Sequence, residues 1–128
     1  MKEAIGRFIR RARRVMVITH VAPDGDAIGS LLGLGRALHK LGKEYTLACA
    51  DLVPKGFAYL PHSETIARPP PSGWPKGKYD LVISLDCGDL ERLGTAYDES
   101  LAGLPIINID HHVTNTHFGT VNWVDTEA

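Results

Sequence analysis

Three short apolar runs, each ending in acidic or imidazole residues, constrain this chain more than anything else in its sequence. Val15–Thr19 leads into His20, Asp24 and Asp26, Leu81–Leu85 leads into Asp86, and Ile106–Ile109 leads into Asp110, His111 and His112. Such runs are too short for buried helices and rich in β-branched residues, so each reads as a strand buried on both faces. If the three belong to one parallel sheet, their carboxyl ends lie side by side. Ligands of open α/β sheets sit in the crevice outside those ends. Seven candidate ligands far apart in sequence then converge on one small volume. The expected fold class is α/β: an open, mainly parallel sheet flanked by helices, with a metal site at the carboxyl ends of its strands.

With 128 residues the chain suits a single domain, and a domain of that size buries about two-thirds of its unfolded surface. A net charge of −1 gives no global pull toward nucleic acid or membrane. No apolar run approaches the ~18 residues of a membrane span. The charged segment Met1–Arg14 precedes no signal-peptide core. The two cysteines, Cys49 and Cys87, fit a reduced cytoplasmic protein better than a disulfide scaffold. Cys87 adjoins Asp86, but the oxygen-rich neighbourhood suits harder metals than a thiolate prefers.

Periodicity predicts a helix over Lys2–Arg13, with Ile5, Phe8, Ile9 and Ala12 on its apolar face. Arg10, Arg11, Arg13 and Arg14 read as a solvated face rather than a phosphate or nucleic-acid patch. After the first strand, Pro23 and Gly25 bend the chain. Asp26 is the expected N-cap of a helix over Ala27–Leu41, with Ile28, Leu31, Leu32, Leu34, Leu38 and Leu41 facing inward. Gly29 and Gly33 are expected to let that helix approach the sheet, Gly42 to end it, and His39 to be a surface residue. Tyr45–Ala50 completes a right-handed βαβ unit. One short helix ending near Pro61 is expected within Asp51–Ala67, with His62 in a loop. Arg68–Lys78 reads as a proline-rich surface loop, Asp89–Ala102 as a short helix and Phe118–Val124 as a further strand. Asp125–Ala128 resembles a helix start, which suggests a fragment of a longer polypeptide.

Paired divalent cations about 3.5–4 Å apart require several carboxylates and a few imidazoles, with one carboxylate commonly bridging. Asp86 stands alone at the end of the expected central strand and is the natural bridge. Asp24 and Asp26, either side of Gly25, can each serve one ion, and His20 and His111 add nitrogen ligands. A single such aspartate is often only a helix cap, and a lone histidine is more often structural. Three such clusters, each at the same end of a buried strand, favour a metal site. The segment Gly25–Gly35 has neither the G-x-G-x-x-G spacing of dinucleotide folds nor the Lys-Ser/Thr of a P-loop.

These residues resemble the motifs of the DHH phosphoesterase superfamily. His20-Val-Ala-Pro-Asp-Gly-Asp-Ala-Ile-Gly-Ser30 resembles its first motif, Asp86-Cys-Gly88 its second, and Asp110-His-His-Val-Thr-Asn115 its third. Phe118-Gly119 and Asn122-Trp-Val-Asp125 are similar to the stretch after the third motif in the branch of nano-RNases and 3′-phosphoadenosine 5′-phosphate (pAp) phosphatases. The resemblance implies hydrolysis of short single-stranded RNA or of pAp by a hydroxide activated by two metals. It implies two divalent cations, manganese above all, one held by His20, Asp24 and Asp86, the other by Asp26, Asp86 and His111. It further implies that Asp86, His111 and His112 are catalytic, that His112 touches the substrate phosphate, and that Asp110 orients a histidine. Cyclic- or linear-dinucleotide phosphodiesterases and pyrophosphatases of the same superfamily, and a non-catalytic fragment, are the alternatives. The family's fourth-motif aspartate and C-terminal substrate-binding domain have no counterpart in residues 1–128. The chain is therefore expected to be a partial DHH domain with an incomplete second metal site and little activity of its own, and homo-oligomer formation is compatible with it.

Overall fold

The computed structural model describes residues 1–127. Five strands, β1 (Arg14–Thr19), β2 (Glu44–Ala48), β3 (Leu81–Leu85), β4 (Ile106–Asp110) and β5 (Val121–Val124), form one sheet in the order β2-β1-β3-β4-β5. Every neighbouring pair is parallel, so the α/β expectation holds. This order reverses between β1 and β3, the point where doubly wound sheets open their ligand crevice.

Alternation divides the strands between two cores. Val15, Val17, Leu81, Ile83 and Ile107 pack with Leu31 and Leu38 of helix α2 (Gly25–Lys40) and Ile5 of helix α1 (Lys2–Arg11). Met16, Ile18, Val82 and Ile106 pack on the opposite face with Trp74, Tyr79, Leu93 and Leu101. Burial on both faces explains why the strands read as continuous apolar runs rather than alternating ones.

Several expected boundaries move, each for a local reason. Helix α1 stops at Arg11, not Arg13, because the Asp80 carboxylate accepts from the backbone N–H of Arg13 and of Arg14 and draws them toward the sheet. The Lys43 ammonium then donates to the carbonyls of Arg10 and Ala12 that the helix leaves open. Helix α2 begins earlier than expected, and its N-cap is Asp24, whose side chain accepts from Ala27 N–H at 3.0 Å, rather than Asp26. At its far end Lys43 N–H bonds Leu38 O and Gly42 N–H bonds His39 O, with Gly42 at φ +72°, a Schellman motif with the expected terminating glycine. Leu41 is exposed rather than inward-facing. Gly29 and Gly33 are also exposed, and a Cβ there would meet nothing. The close approach is made at Gly35, where a Cβ would lie 2.8 Å from Leu47 Cδ1.

No α-helix forms in Asp51–Ala67. Two 3-10 turns, Lys55–Phe57 and Ser63–Thr65, are separated by Pro61 and by His62 at φ +70°. The segment closes by pairing Ala67 with Ala48, extending the edge of the sheet. Asp89–Ala102 likewise forms two 3-10 segments, Leu90–Ala96 and Glu99–Leu101, capped by the Asp89 and Asp98 carboxylates. Gly94 (φ +61°) kinks the first, and the position needs glycine, because a Cβ there would strike Val21 Cγ1 at 2.6 Å. The proline-rich loop is anchored by buried Trp74, whose indole N–H donates to Ala96 O. The last expected strand is confined to Val121–Val124. At the expected terminal helix start, Asp125 accepts from Glu127 N–H; Ala128 lies outside the described residues. Among those residues no helix is long and apolar enough to cross a membrane.

Candidate metal centre

All seven predicted ligand residues lie at or just beyond the carboxyl ends of β1, β3 and β4. Six of the seven, all but Asp26, form two groups that share Asp86: His20, Asp24 and Asp86, and Asp86, Asp110, His111 and His112. Within each group the ligand atoms lie within 4.8 Å of one another. Asp86 faces both ways. Its Oδ2 lies 3.5 Å from His20 Nε2, and its Oδ1 accepts from His111 Nε2 at 2.7 Å. The residue is buried and left-handed, at φ +56°, a conformation aspartate tolerates better than most residues. Its backbone N–H is held by Ile109 O of the adjacent strand.

The other ligands are aimed by local structure. His20 directs Nδ1 to Val21 O at 2.6 Å, which leaves Nε2 facing Asp86 and, 3.8 Å away, Asp24 Oδ1. A carbonyl partner of this kind fixes the tautomer that a metal-binding imidazole needs. The Ala27 N–H bond holds the Asp24 carboxyl below its ordinary pKa, with His20 adding a smaller pull in the same direction. Asp26 stands somewhat apart, its Oδ2 3.6 Å from His111 Nε2, and lies outside both tight groups. The hydrogen bond to Asp86 raises the pKa of His111, against burial and reinforced by the charges of Asp86, Asp110 and Asp26. Burial pushes the Asp110 carboxyl up, but bonds from Asn115, the His111 backbone and His112 outweigh it and hold it below its ordinary value.

Two clefts open on either side of Asp86. One, of about 420 Å³, is lined by Asp26, Ser30, His111, Trp123 and Asp125 among others; the other, of about 450 Å³, by His20, Asp24, Arg92, His112 and Thr114 among others. The donor set of carboxylate oxygens and imidazole nitrogens, with one carboxylate between two imidazoles, fits a divalent metal ion. Cys87 does not join it. Its thiol donates to Asp89 O, and burial pushes its pKa to about 11, which disfavours the thiolate a metal would need. His39 and His62 are exposed and lie outside both ligand groups.

Three features of this region escaped sequence reasoning. Asn108, Asn115 and Asn122 form a side-chain network behind Asp110. Their signal was an asparagine interrupting the apolar run Ile106–Ile109. Arg92 brings a cation to an otherwise acidic cleft, and only its spacing after Asp86 could have hinted at that. Ser30 reaches the other cleft from the first turns of α2.

The model of the family described as "DHH family, N-terminal domain" matches residues 14–128. A bifunctional oligoribonuclease and PAP phosphatase NrnA of Thermus thermophilus is 40% identical over 120 residues, covering 87% of this chain and 32% of that protein. The protein of the same name from Bacillus subtilis is 28% identical over 128 residues, covering 100% of this chain and 38% of its own length. Among solved structures, an exopolyphosphatase-related protein from Bacteroides fragilis superposes with a TM-score of 0.85 at 25% identity, over 98% of this chain and 38% of that one. The chain thus spans about a third of the length of the curated relatives it matches. The family match, which spans all five strands, and the 40%-identical relative together place this chain in the DHH family, as its N-terminal domain.

Proposed function

We propose that this chain holds the metal centre of a phosphoesterase that hydrolyses short oligoribonucleotides, pAp, or both. The observation that carries the reading is the position of Asp86 between His20 and His111, with its two oxygens directed to different imidazoles. His20, Asp24 and Asp86 would hold one divalent cation, and Asp26, Asp86 and His111 the other, with manganese the favoured ion. When bound, such a pair neutralises charge on a phosphoryl group and lowers the pKa of water. The chain's own residues do the positioning. Asp86 sets the separation of the two ligand groups, Asp110 orients His112, and His112, on the cleft with Arg92, meets the substrate phosphate. The names of the T. thermophilus and B. subtilis relatives support the substrate class. The relatives' greater length supports assigning a fourth-motif aspartate and substrate specificity to a segment beyond this one, so residues 1–128 alone are expected to bind metal but turn over slowly.

Calorimetric titration of manganese into the chain, beside an Asp86→Asn control, tests the metal reading. Binding that disappears in the control supports it, and equal binding by both refutes the bridge. Competing turnover of pAp, the dinucleotide pApA and pyrophosphate by a full-length protein containing this domain tests the substrate. A preference for pyrophosphate would favour the phosphoanhydride chemistry suggested by the exopolyphosphatase-related neighbour.

A further inference from the structure

The connection from β4 to β5 runs only from His111 to Thr120 and contains no helix, although parallel strands are usually joined by a helical crossover of a dozen residues or more. It is held instead by three asparagines. Asn108, inside β4, is fully buried; Asn122 is its register partner on β5; and Asn115 lies in the loop between them, 9% exposed. Asn108 Nδ2 donates to Asn115 Oδ1 at 2.8 Å and to Asn122 Oδ1 at 3.0 Å. Asn115 Nδ2 donates to Asp110 Oδ2 at 2.9 Å, with longer contacts of 3.3 Å to Asn108 Oδ1 and Cys87 O. Asp110 Oδ1 in turn faces His112 Nδ1 at 2.7 Å.

The direction of every bond in this chain is dictated by backbone groups at its ends. His117 N–H donates to Asn115 Oδ1, and Gly119 N–H donates to Asn122 Oδ1 while Gly119 O accepts from Asn122 Nδ2. Backbone N–H groups can only donate, so both Oδ1 atoms are identified as oxygens and Asn108 must supply the nitrogen between them. Asn115 is then obliged to present its nitrogen to Asp110. That bond holds Oδ2 and so aims Oδ1 at His112; the ionised carboxylate can only accept, so His112 Nδ1 carries the proton. The same Asn115 nitrogen reaches the carbonyl of Cys87, next to the left-handed Asp86, and so ties the end of β3 to the end of β4.

We propose that Asn115, its amide orientation fixed by Asn108 and Asn122, is a positioning residue that locks Asp110 and thereby holds His112 in the Nδ1–H tautomer, with Nε2 left free for the cleft. This rests on the reading of His112 as a working residue of the site only for its importance. The geometry itself needs neither metal nor substrate.

The test is a long-range ¹H–¹⁵N spectrum of the imidazoles of the metal-free chain, recorded at rising pH until the ring signals stop moving, with His112 assigned by its loss in His112→Gln. The wild-type chain should show a protonated Nδ1 and a bare Nε2 on His112. Asn115→Ala should shift that ring to the Nε2–H form that free histidine favours and speed exchange of its Nδ1 proton about five- to tenfold, the factor expected for losing one ordinary hydrogen bond. Asn122→Ala, on the edge strand, should do the same more weakly and decides the matter should Asn115→Ala fail to fold. Ser63→Ala removes a comparable hydrogen bond, to Ala58 O, that is not part of this network and should leave the His112 signals where they are. A folded asparagine variant with an unchanged His112 spectrum overturns the proposal, as does a wild-type ring already in the Nε2–H form. Neither outcome touches the metal reading, which the manganese titration decides separately.

Discussion

At the amino ends of the strands, Asp80 accepts from two backbone N–H groups, Lys43 donates to two backbone carbonyls, and Arg14 pairs with Glu44 in solvent. At the carboxyl ends, by contrast, Asp86 is buried between two imidazoles, and three further aspartates crowd the same volume. Charges at the first end complete the backbone; those at the second face one another and concentrate negative potential where cations suit it. The difference separates residues that complete the backbone from residues proposed to hold metal, and exchanging one aspartate at each end sharpens it most. Asp86→Asn should lower manganese affinity more than about a hundredfold, beyond what loss of an orienting partner does, as read by calorimetry. Asp80→Ala should leave that affinity unchanged while costing about 1 kcal/mol in denaturant unfolding, as loss of a capping side chain does. Comparable affinity losses from the two would erase the distinction.

Close approaches give the next largest contrast. A Cβ at Gly94 would meet Val21 Cγ1 at 2.6 Å and Ala50 Cβ at 3.2 Å, in a left-handed backbone, directly under the loop that carries His20. Gly94→Ala should cost about 1–3 kcal/mol by overpacking and, because it pushes on that loop, weaken metal binding as well. A Cβ at Gly35 meets mainly the flexible end of Leu47. Gly35→Ala should cost less in thermal unfolding and leave metal affinity alone. An unaltered affinity in a folded Gly94→Ala variant would show that the His20 loop tolerates displacement.

How far the sequence told these ends apart depends on the physics of each. The strands and their ligand-bearing ends were legible because burial on both faces writes an unbroken apolar run, and each run stops where the crevice begins. That Asp86 belongs to both groups of acidic and imidazole side chains was legible from its isolation after β3. The choice of Asp24 over Asp26 as cap was not, because either can accept a helix N–H, and the loop around Pro23 decides which one does. Asp89–Ala102 reads as one short helix, yet non-helical Gly94 interrupts its first half and extended Tyr97 and Asp98 divide that half from Glu99–Leu101. Gly29 and Gly33 sit at helical spacing, but which glycine meets the sheet depends on the rotation of α2 over β2, a tertiary quantity. The asparagine network was hidden because asparagine alone carries no sign of its partners.

Acidity distinguishes the ends further. His111 has its pKa raised in the folded chain, chiefly by its bond to Asp86. A raised pKa contributes stability that is fully present below the unfolded value of about 6.5 and is lost as pH climbs through the folded value. The metal-free chain should therefore lose some thermal stability across that window, and His111→Ala should flatten the loss. Divalent cations compete with the same proton, so manganese affinity should rise as pH rises. Asp24 and Asp110, both held low, act oppositely: their contribution is present above the unfolded carboxyl range of about 4 and disappears as acid carries the chain through their folded values. Melting curves from about pH 3 to pH 9 would resolve the two limbs, and a profile indifferent to His111→Ala would disprove the upper one.

The smallest effect belongs to the basic face of α1 and the start of β1. Glu44 raises the Arg14 guanidinium pKa by hydrogen bond and charge, but both side chains are exposed, and side-chain entropy and screening cancel most of the attraction there. Arg14→Gln should therefore leave the melting temperature within experimental scatter, and added salt should not widen the gap between variant and parent. Arg10→Gln and Arg11→Gln, both exposed in the last turn of α1, should likewise leave manganese affinity unchanged, since they sit at the opposite end of the strands from Asp86. The informative assay is binding of a short oligoribonucleotide at low and high salt. If the triple variant loses affinity only at low salt, this face steers a polyanion toward the molecule and the amino end has a role beyond the fold. If affinity is indifferent at both, the arginines are a solvated surface, and recognition of phosphate rests on the cleft beside His112.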